Sequence, residues 1–259
     1  MLPLWSIYVI MVVCALLMIW ANQQYNTKGV GWGRPVAGLF GVLALASAIF
    51  AIFVSIKGPS MANKGLQEKE NVYQRIAMKT IGAELARTCP GAKALLLLTP
   101  TNEYNKTRQE ATIAGLTEGF QGKLAITEKE EVGGNAEMVM EQFLSAKDFD
   151  GFIKRYPNCN LIISLIGLPY DYAEMKFWKM EKDRPKLVTT AVNLADEQIQ
   201  EAIADGKLNV VLSSNPNNPY NFKDPVPANE KDAFDKRFIL ITPENIEQMV
   251  KDYPKLFGK

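Results

Sequence analysis

Two long apolar runs open the chain, and behind them the pattern changes to short apolar stretches with alternating strand-like and helix-like spacing. Residues 2–21 and 36–56 carry no charged side chain, and the connector between them holds Lys28 and Arg34. About 20 consecutive apolar residues carry a helix across a bilayer core, so both runs are expected to be transmembrane helices. Residues 70–87 repeat apolar positions at helical spacing, with charge on the other side, and Cys89-Pro90-Gly91 stops them. These breaks divide the chain into an anchor at 1–57, a juxtamembrane helix at 58–91 and a soluble α/β domain at 92–259.

The domain reads as alternating strands and helices. Strands are expected at 92–99 (AKALLLLT), 124–130, 160–166 (NLIISLI), 186–192, 209–213 and 238–242. Helices are expected at 106–121, from 135 to 156 with a break near 147–148, and at 172–182, 196–204 and 243–253. The Asn- and Pro-rich stretch 215–228 is loop. An unbroken apolar run suits a strand covered on both faces, and this alternation implies right-handed parallel units. The expected fold class is therefore α/β: a two-helix transmembrane hairpin followed by one doubly wound, mainly parallel sheet in the order 2-1-3-4-5.

The anchor carries its own signals. Residues 1–5 lack a basic start and residues 20–23 make a poor cleavage site, so the first helix is read as retained rather than as a signal peptide. Gly41, Ala44, Ala48 and Ala51 share one helical face. Small residues let helices approach closely in lipid, so this face packs on the first helix or docks another membrane subunit. Trp5, Trp20, Tyr25 and Trp32 fall near the span ends, as interfacial aromatics do. The basic connector favours a cytoplasmic turn and a periplasmic domain, on a two-pass protein of the inner membrane. Lys57, Lys64, Lys69 and Arg75 favour the opposite sidedness.

Composition narrows the chemistry. The chain has 29 Lys+Arg against 28 Asp+Glu and a formal net charge of +1, which leaves no electrostatic footprint for nucleic acid. It has no histidine, which excludes Ser-His-Asp and Cys-His nucleophile systems and removes the commonest transition-metal ligand. The cysteines Cys14, Cys89 and Cys159 lack metal-ligand spacing. No catalytic residue, metal or cofactor is expected.

Within 93–215 the sequence resembles the N-terminal lobe of type 1 periplasmic binding proteins. GLTEGFQG (115–122) is similar to that family's first helix end, FIKRYPNCNLIISLIG (152–167) to its helix, proline and third strand, and KLVTTAVN (186–193) to its fourth strand. The resemblance implies a solute-recognition lobe. The residues after 215 are too few for a second lobe of that size, so clamshell closure around a solute is not expected.

In open parallel sheets ligands lie beyond the carboxyl ends of the strands, near the point where strand order reverses. The loops expected there carry Asn102, Tyr104, Asn105, Gly133, Gly134, Asn135, Tyr170, Asp171 and Asn193, with Ser213 and Ser214 further along. Amides, hydroxyls and aromatic rings are the mix that holds a small polar solute. The same residue types are ordinary turn formers and caps, and Asn105 and Asn135 precede helices as N-caps do. Glu103, Asp171 and Asp196 could meet at the crevice rim as carboxylates, on loops where acids are usually solvated. Cys89 and Cys159 precede the first and third strands, which adjacent strands would bring within disulfide reach; two separate buried thiols are the other outcome. Two functions follow from these features. One is a non-enzymatic, membrane-anchored extracytoplasmic module, either a small-solute recognition domain or an accessory subunit of a membrane complex. The other is a cytoplasm-facing tethered enzyme or nucleotide-binding domain.

Overall fold

The computed structural model describes residues 4–133, 144–190, 192–218, 221 and 223–259. The chain divides into two compact units, Met1–Glu68 and Lys69–Lys259.

The first unit pairs α1 (Leu4–Lys28) with the early part of α2 (Gly33–Thr88). The helices meet closely because Gly33 has no side chain. A Cβ there would lie 2.7 Å from the Ala21 carbonyl oxygen and 2.9 Å from Tyr25 Cβ. Gly29 ends α1 in the left-handed region at φ +66°, with its N–H bonded to the Tyr25 carbonyl at 3.1 Å, the usual glycine stop of a helix. Trp20 and Trp32 lie 5.8 Å apart between ring centroids across the turn.

The membrane reading is corrected here. Among the described residues no helix is long and apolar enough to cross a membrane. The transmembrane hairpin, the bilayer as partner, the neighbouring membrane subunits and the two-pass inner-membrane placement all rested on those spans and are withdrawn with them.

The second unit begins in α2 and continues through β1 (Lys93–Leu98), α3 (Lys106–Phe120), β2 (Ala125–Glu131), α4 (Ala146–Arg155), β3 (Leu161–Ser164), β4 (Lys186–Thr189), α5 (Glu197–Ala204), β5 (Leu208–Ser214), α6 (Glu230–Arg237), β6 (Phe238–Ile241) and α7 (Ile246–Asp252). The sheet has six strands in the order β2-β1-β3-β4-β5-β6. The first five are parallel, and β6 pairs antiparallel with β5. The architecture is thus a helical pair followed by a mixed six-strand sheet: the order 2-1-3-4-5 expected from the sequence is extended at β5 by an antiparallel β6, and the expected membrane hairpin is not supported. β6 turns back because α6 ends at the same edge where β5 ends, so the chain re-enters the sheet from that side.

Alternation along the strands sorts the core into two layers. Ala94, Leu96, Ile163 and Val188 face a cluster with Tyr73, Met78 and Ile81 of α2, Leu116 of α3 and Phe234 of α6. Leu95, Leu97, Ile162, Leu187 and Val211 face the other cluster, with Phe149 of α4, Ile199 of α5 and Ile246 of α7. The helix starts are capped locally. Ser145 and Asp148 form a reciprocal capping box on α4, Asp196 accepts from the Gln198 N–H, and Asn229 accepts from Lys231 and Asp232.

Two short 3-10 turns, Tyr172–Glu174 and Lys176–Lys179, replace the helix predicted over 172–182. The Asp150 carboxylate takes the Lys176 and Phe177 N–H groups at 3.0 and 3.3 Å, and the Trp178 indole donates to the Tyr172 carbonyl at 2.6 Å. Those bonds occupy groups that an α-helical ladder would use.

Candidate functional site

The carboxyl ends of the parallel strands carry the predicted site residues, but the loops bring only some of them together. After β1, Asn102 and Asn105 serve each other. Asn102 Oδ1 accepts from the Tyr104 and Asn105 N–H groups, and Asn105 Oδ1 accepts from the Asn102 N–H at 2.8 Å. Asn105 Nδ2 donates to the Pro100 carbonyl at 2.8 Å. Asn105 does stand at the N-cap position of α3, yet its side chain bonds backward into the loop and leaves the helix N–H groups uncapped. The Tyr104 side chain stands 88% exposed. This loop is a self-contained Asx arrangement.

The loops after β3 and β4 enclose a cleft of about 190 Å³ between them. Its walls are Leu168, Pro169, Tyr170, Tyr172, Val192, Asn193 and Ile199. Three of these belong to the sequence-predicted neighbourhood: Tyr170 and Asn193 as named residues, Tyr172 as the start of a predicted helix. Leu168, Val192 and Ile199 supply the apolar floor because they pack on the α4/α5 core layer. Gly167 makes the first turn possible, at φ +83°, a region that glycine enters without steric cost.

Hydrogen bonding sets what each wall offers. Asn193 Oδ1 accepts from the Ala195 N–H at 3.1 Å, while Nδ2 makes no bond among the described residues. Tyr170 is 66% exposed. Tyr172 donates its hydroxyl to Asp196 Oδ2, whose Oδ1 accepts from the Gln198 N–H at 2.8 Å. Burial first, then the Asp196 bond, pushes the Tyr172 hydroxyl up to about 12. The Tyr172 bond, aided by backbone N–H groups of α5, holds the Asp196 carboxyl below its ordinary value. Tyr172 is therefore a neutral phenol with an oxygen free to accept, and Asp196 is a committed anion. Among the described residues, no charged side chain lines the cleft.

The remaining predicted residues stand elsewhere or in structural roles. Asp171 Oδ1 takes the Ala146 N–H at 2.6 Å, which ties the β3 loop to the start of α4. Ser213 and Ser214 belong to β5 and pair with Ile239 and Phe238. Gly133 closes β2 at φ +124°, and Gly134 and Asn135 lie outside the described residues. Cys89 and Cys159 are free thiols in different core layers, against α2 and α4 respectively.

Cleft size alone points to other places. A cleft of about 260 Å³ at the amino edge is lined by Lys93, Thr127, Glu128, Arg155, Tyr156, Pro157, Asn158 and Cys159. Its mouth is charged, Arg155 already pairs with Glu130 at 2.7 Å, and it lies at the strand end opposite to where ligands bind in parallel sheets.

No family model and no curated protein sequence matches the chain. Solved structures do. An arabinose-binding protein of Geobacillus stearothermophilus matches 68% of this chain and 62% of its own, at 13% identity and TM-score 0.42. A carbohydrate transporter of Acidothermus cellulolyticus 11B, solved with myo-inositol, matches 71% of this chain and 62% of its own, at 16% identity and TM-score 0.44. A sugar-binding protein of a sugar ABC transporter from Bacillus halodurans matches 68% and 64%, at 13% identity and TM-score 0.42. The match takes in less than two thirds of each of these proteins. The chain is structurally similar to periplasmic sugar-binding proteins over about half to two thirds of its length.

Proposed function

We propose that the second unit is a recognition module that holds a small, neutral, polyhydroxylated solute in the cleft between the β3 and β4 loops, without transforming it. The observation that carries this reading is the wall chemistry among the described residues: two tyrosine rings, an amide with an uncommitted NH2 group, apolar side chains and no charge. Ring faces and aliphatic side chains suit the C–H face of a polyol, and the amide and phenol oxygens suit its hydroxyls. The volume of about 190 Å³ lies below the roughly 300–1,000 Å³ of drug-sized sites, which limits the occupant to a small solute. Catalysis finds no support among the same residues. Asp171 and Asp196, the carboxylates beside the cleft residues Tyr170, Tyr172 and Asn193 in the β3 and β4 loops, are both committed to backbone or phenol donors, and no histidine exists to move a proton.

The test is a thermal-shift panel on the full chain with neutral monosaccharides, polyols and the matching sugar acids. Arabinose and inositol come first, since they are the solutes named for the similar structures. A ligand at 100 times its Kd stabilises by about 2.7 kcal/mol, which raises Tm by roughly 5–10 °C in a unit of this size. A neutral solute should give that rise and its acid should not, and Asn193→Ala should remove it. No rise with any neutral solute, or an equal rise in Asn193→Ala, contradicts the reading.

A further inference from the structure

The two walls of the cleft belong to two turns, and each turn is tied within itself. On the β3 side the Tyr172 N–H donates to the Pro169 carbonyl at 3.1 Å. The Tyr172 carbonyl accepts from the Met175 N–H at 3.1 Å and from the Trp178 indole at 2.6 Å. On the β4 side the Asp196 N–H donates to the Asn193 carbonyl at 3.2 Å, and the Asp196 carbonyl accepts from the Gln200 N–H at 3.1 Å. Asp196 Oδ1 accepts from the Gln198 N–H at 2.8 Å. Tyr172 is thus fixed to one wall and Asp196 to the other.

A side-chain bond joins the two turns: the Tyr172 hydroxyl donates to Asp196 Oδ2. Tyr172 lines the cleft, as does Asn193, while Asp196 stands outside it. At the base of the same loops the Thr190 hydroxyl reaches the Leu165 carbonyl only at 3.5 Å, the far limit of a hydrogen bond. Capping α5 does not by itself call for a carboxylate, since serine caps a helix as well. A carboxylate has two oxygens. Here one caps the helix and the other holds the phenol of the facing wall.

We infer that the Tyr172–Asp196 bond is a latch that sets the spacing of the cleft walls, and that Asp196 is a positioning residue for solute size. With the latch made, the Tyr172 ring and the Asn193 amide are held at a fixed separation across a cleft of about 190 Å³, which suits a single sugar or polyol ring. With it broken, the two turns keep their own bonds but their separation is free to vary. The cleft then loses its fit to a small solute and admits a larger one. This inference rests on the proposed solute-recognition reading and adds what selects the solute by size.

Titration calorimetry on the full chain compares arabinose with arabinobiose and myo-inositol with galactinol, each pair differing by one added sugar ring. Wild type should bind a small member of these pairs more tightly than its larger counterpart. Asp196→Ser keeps a cap on α5 and leaves the Tyr172 phenol in the wall, but it has no second oxygen for the latch. It should bind the small solute about tenfold more weakly, as loss of one hydrogen bond to a charged group implies, and its preference over the larger solute should disappear. Tyr172→Phe cuts the same bond from the other side and should lose the preference too. Asp196→Asn should restore it, because the amide oxygen caps the helix while the NH2 group donates to the phenol oxygen. A merely structural role for Asp196 would weaken both members of a pair equally, and a preference that survives in Asp196→Ser overturns the inference. So does a wild type without the preference, or one that binds neither small solute. The recognition reading falls as well only if every neutral solute of the thermal-shift panel leaves Tm unchanged.

Discussion

Tyr172 and Asp196 show how one bond can fix both the chemistry and the shape of a site. The phenol is raised to about 12 by burial and by the Asp196 bond, against an ordinary value of 10.0, and the carboxyl is lowered by the same bond. A tyrosine raised in the folded state contributes stability that is complete below pH 10 and disappears as pH climbs through about 12. A lowered carboxyl contributes stability that is present at neutral pH and disappears as pH falls below its ordinary value of 3.8. Tyr172→Phe should therefore flatten the alkaline limb of the Tm–pH profile between pH 10 and 12 and soften the acid limb. An unchanged profile would show that the bond does not form. At this scale the sequence was partly legible. Asn102 and Asn105 were readable as turn residues, because Asn side chains mimic backbone turns wherever they occur. Asn193 and Tyr170 were found through loop position alone. Ile199 was not, since it sits in an ordinary apolar helical pattern and acquires meaning only from the cleft it lines.

Helices and strands were most legible where one face decides their spacing. The apolar run of β1 follows from residue type, whereas the caps at Ser145 and Asp196 emerge only in the structure. The predicted helix at 172–182 failed because Asp150 and Trp178, each distant or side-chain-mediated, take backbone groups that helix formation needs. α6 was missed, as a short charged segment, EKDAFDKR, buries only Ala233 and Phe234. The α2–α3 contact is another element-scale feature invisible to periodicity. A Cβ on Gly119 would lie 2.2 Å from the Lys79 carbonyl oxygen, and one on Gly115 would lie 2.3 Å from that of Arg75. Replacing a helical glycine by alanine ordinarily gains about 1 kcal/mol, whereas forcing atoms into a packed contact costs roughly 1–3 kcal/mol. Backbone atoms of two packed helices cannot swing aside as a side chain can, so the clash should win. Gly119→Ala is expected to lower Tm by several degrees, checked by calorimetry. The same substitution at Gly122, where φ is +72° and no atom lies within 4 Å, should also destabilise, there through backbone strain. Equal or raised stability in Gly119→Ala would show that α2 and α3 separate freely.

The whole molecule departs furthest from the sequence pattern in its first unit. The runs at 2–21 and 36–56 resemble spans by composition, but among the described residues no helix is long and apolar enough to cross a membrane. The sheet shows the reverse case: β6 was visible as a short strand, but its antiparallel pairing depends on where α6 leaves the chain. β2 is one of the two edge strands, and its AITEKEE sequence is mostly exposed. Charged side chains at an open edge discourage strand addition. Lys129→Val with Glu130→Val should increase concentration-dependent association in sedimentation velocity, and no change would place the protection elsewhere.

The central claim is that the β3 and β4 loops, not the larger amino-edge cleft, receive a small neutral solute. Amide hydrogen exchange of the full chain, with and without the solute that raises Tm, tests it most directly. Protection confined to residues 165–172 and 192–196 is the expected result. Protection at 155–159 and 127–128 instead, or none at the β3 and β4 loops, would contradict it.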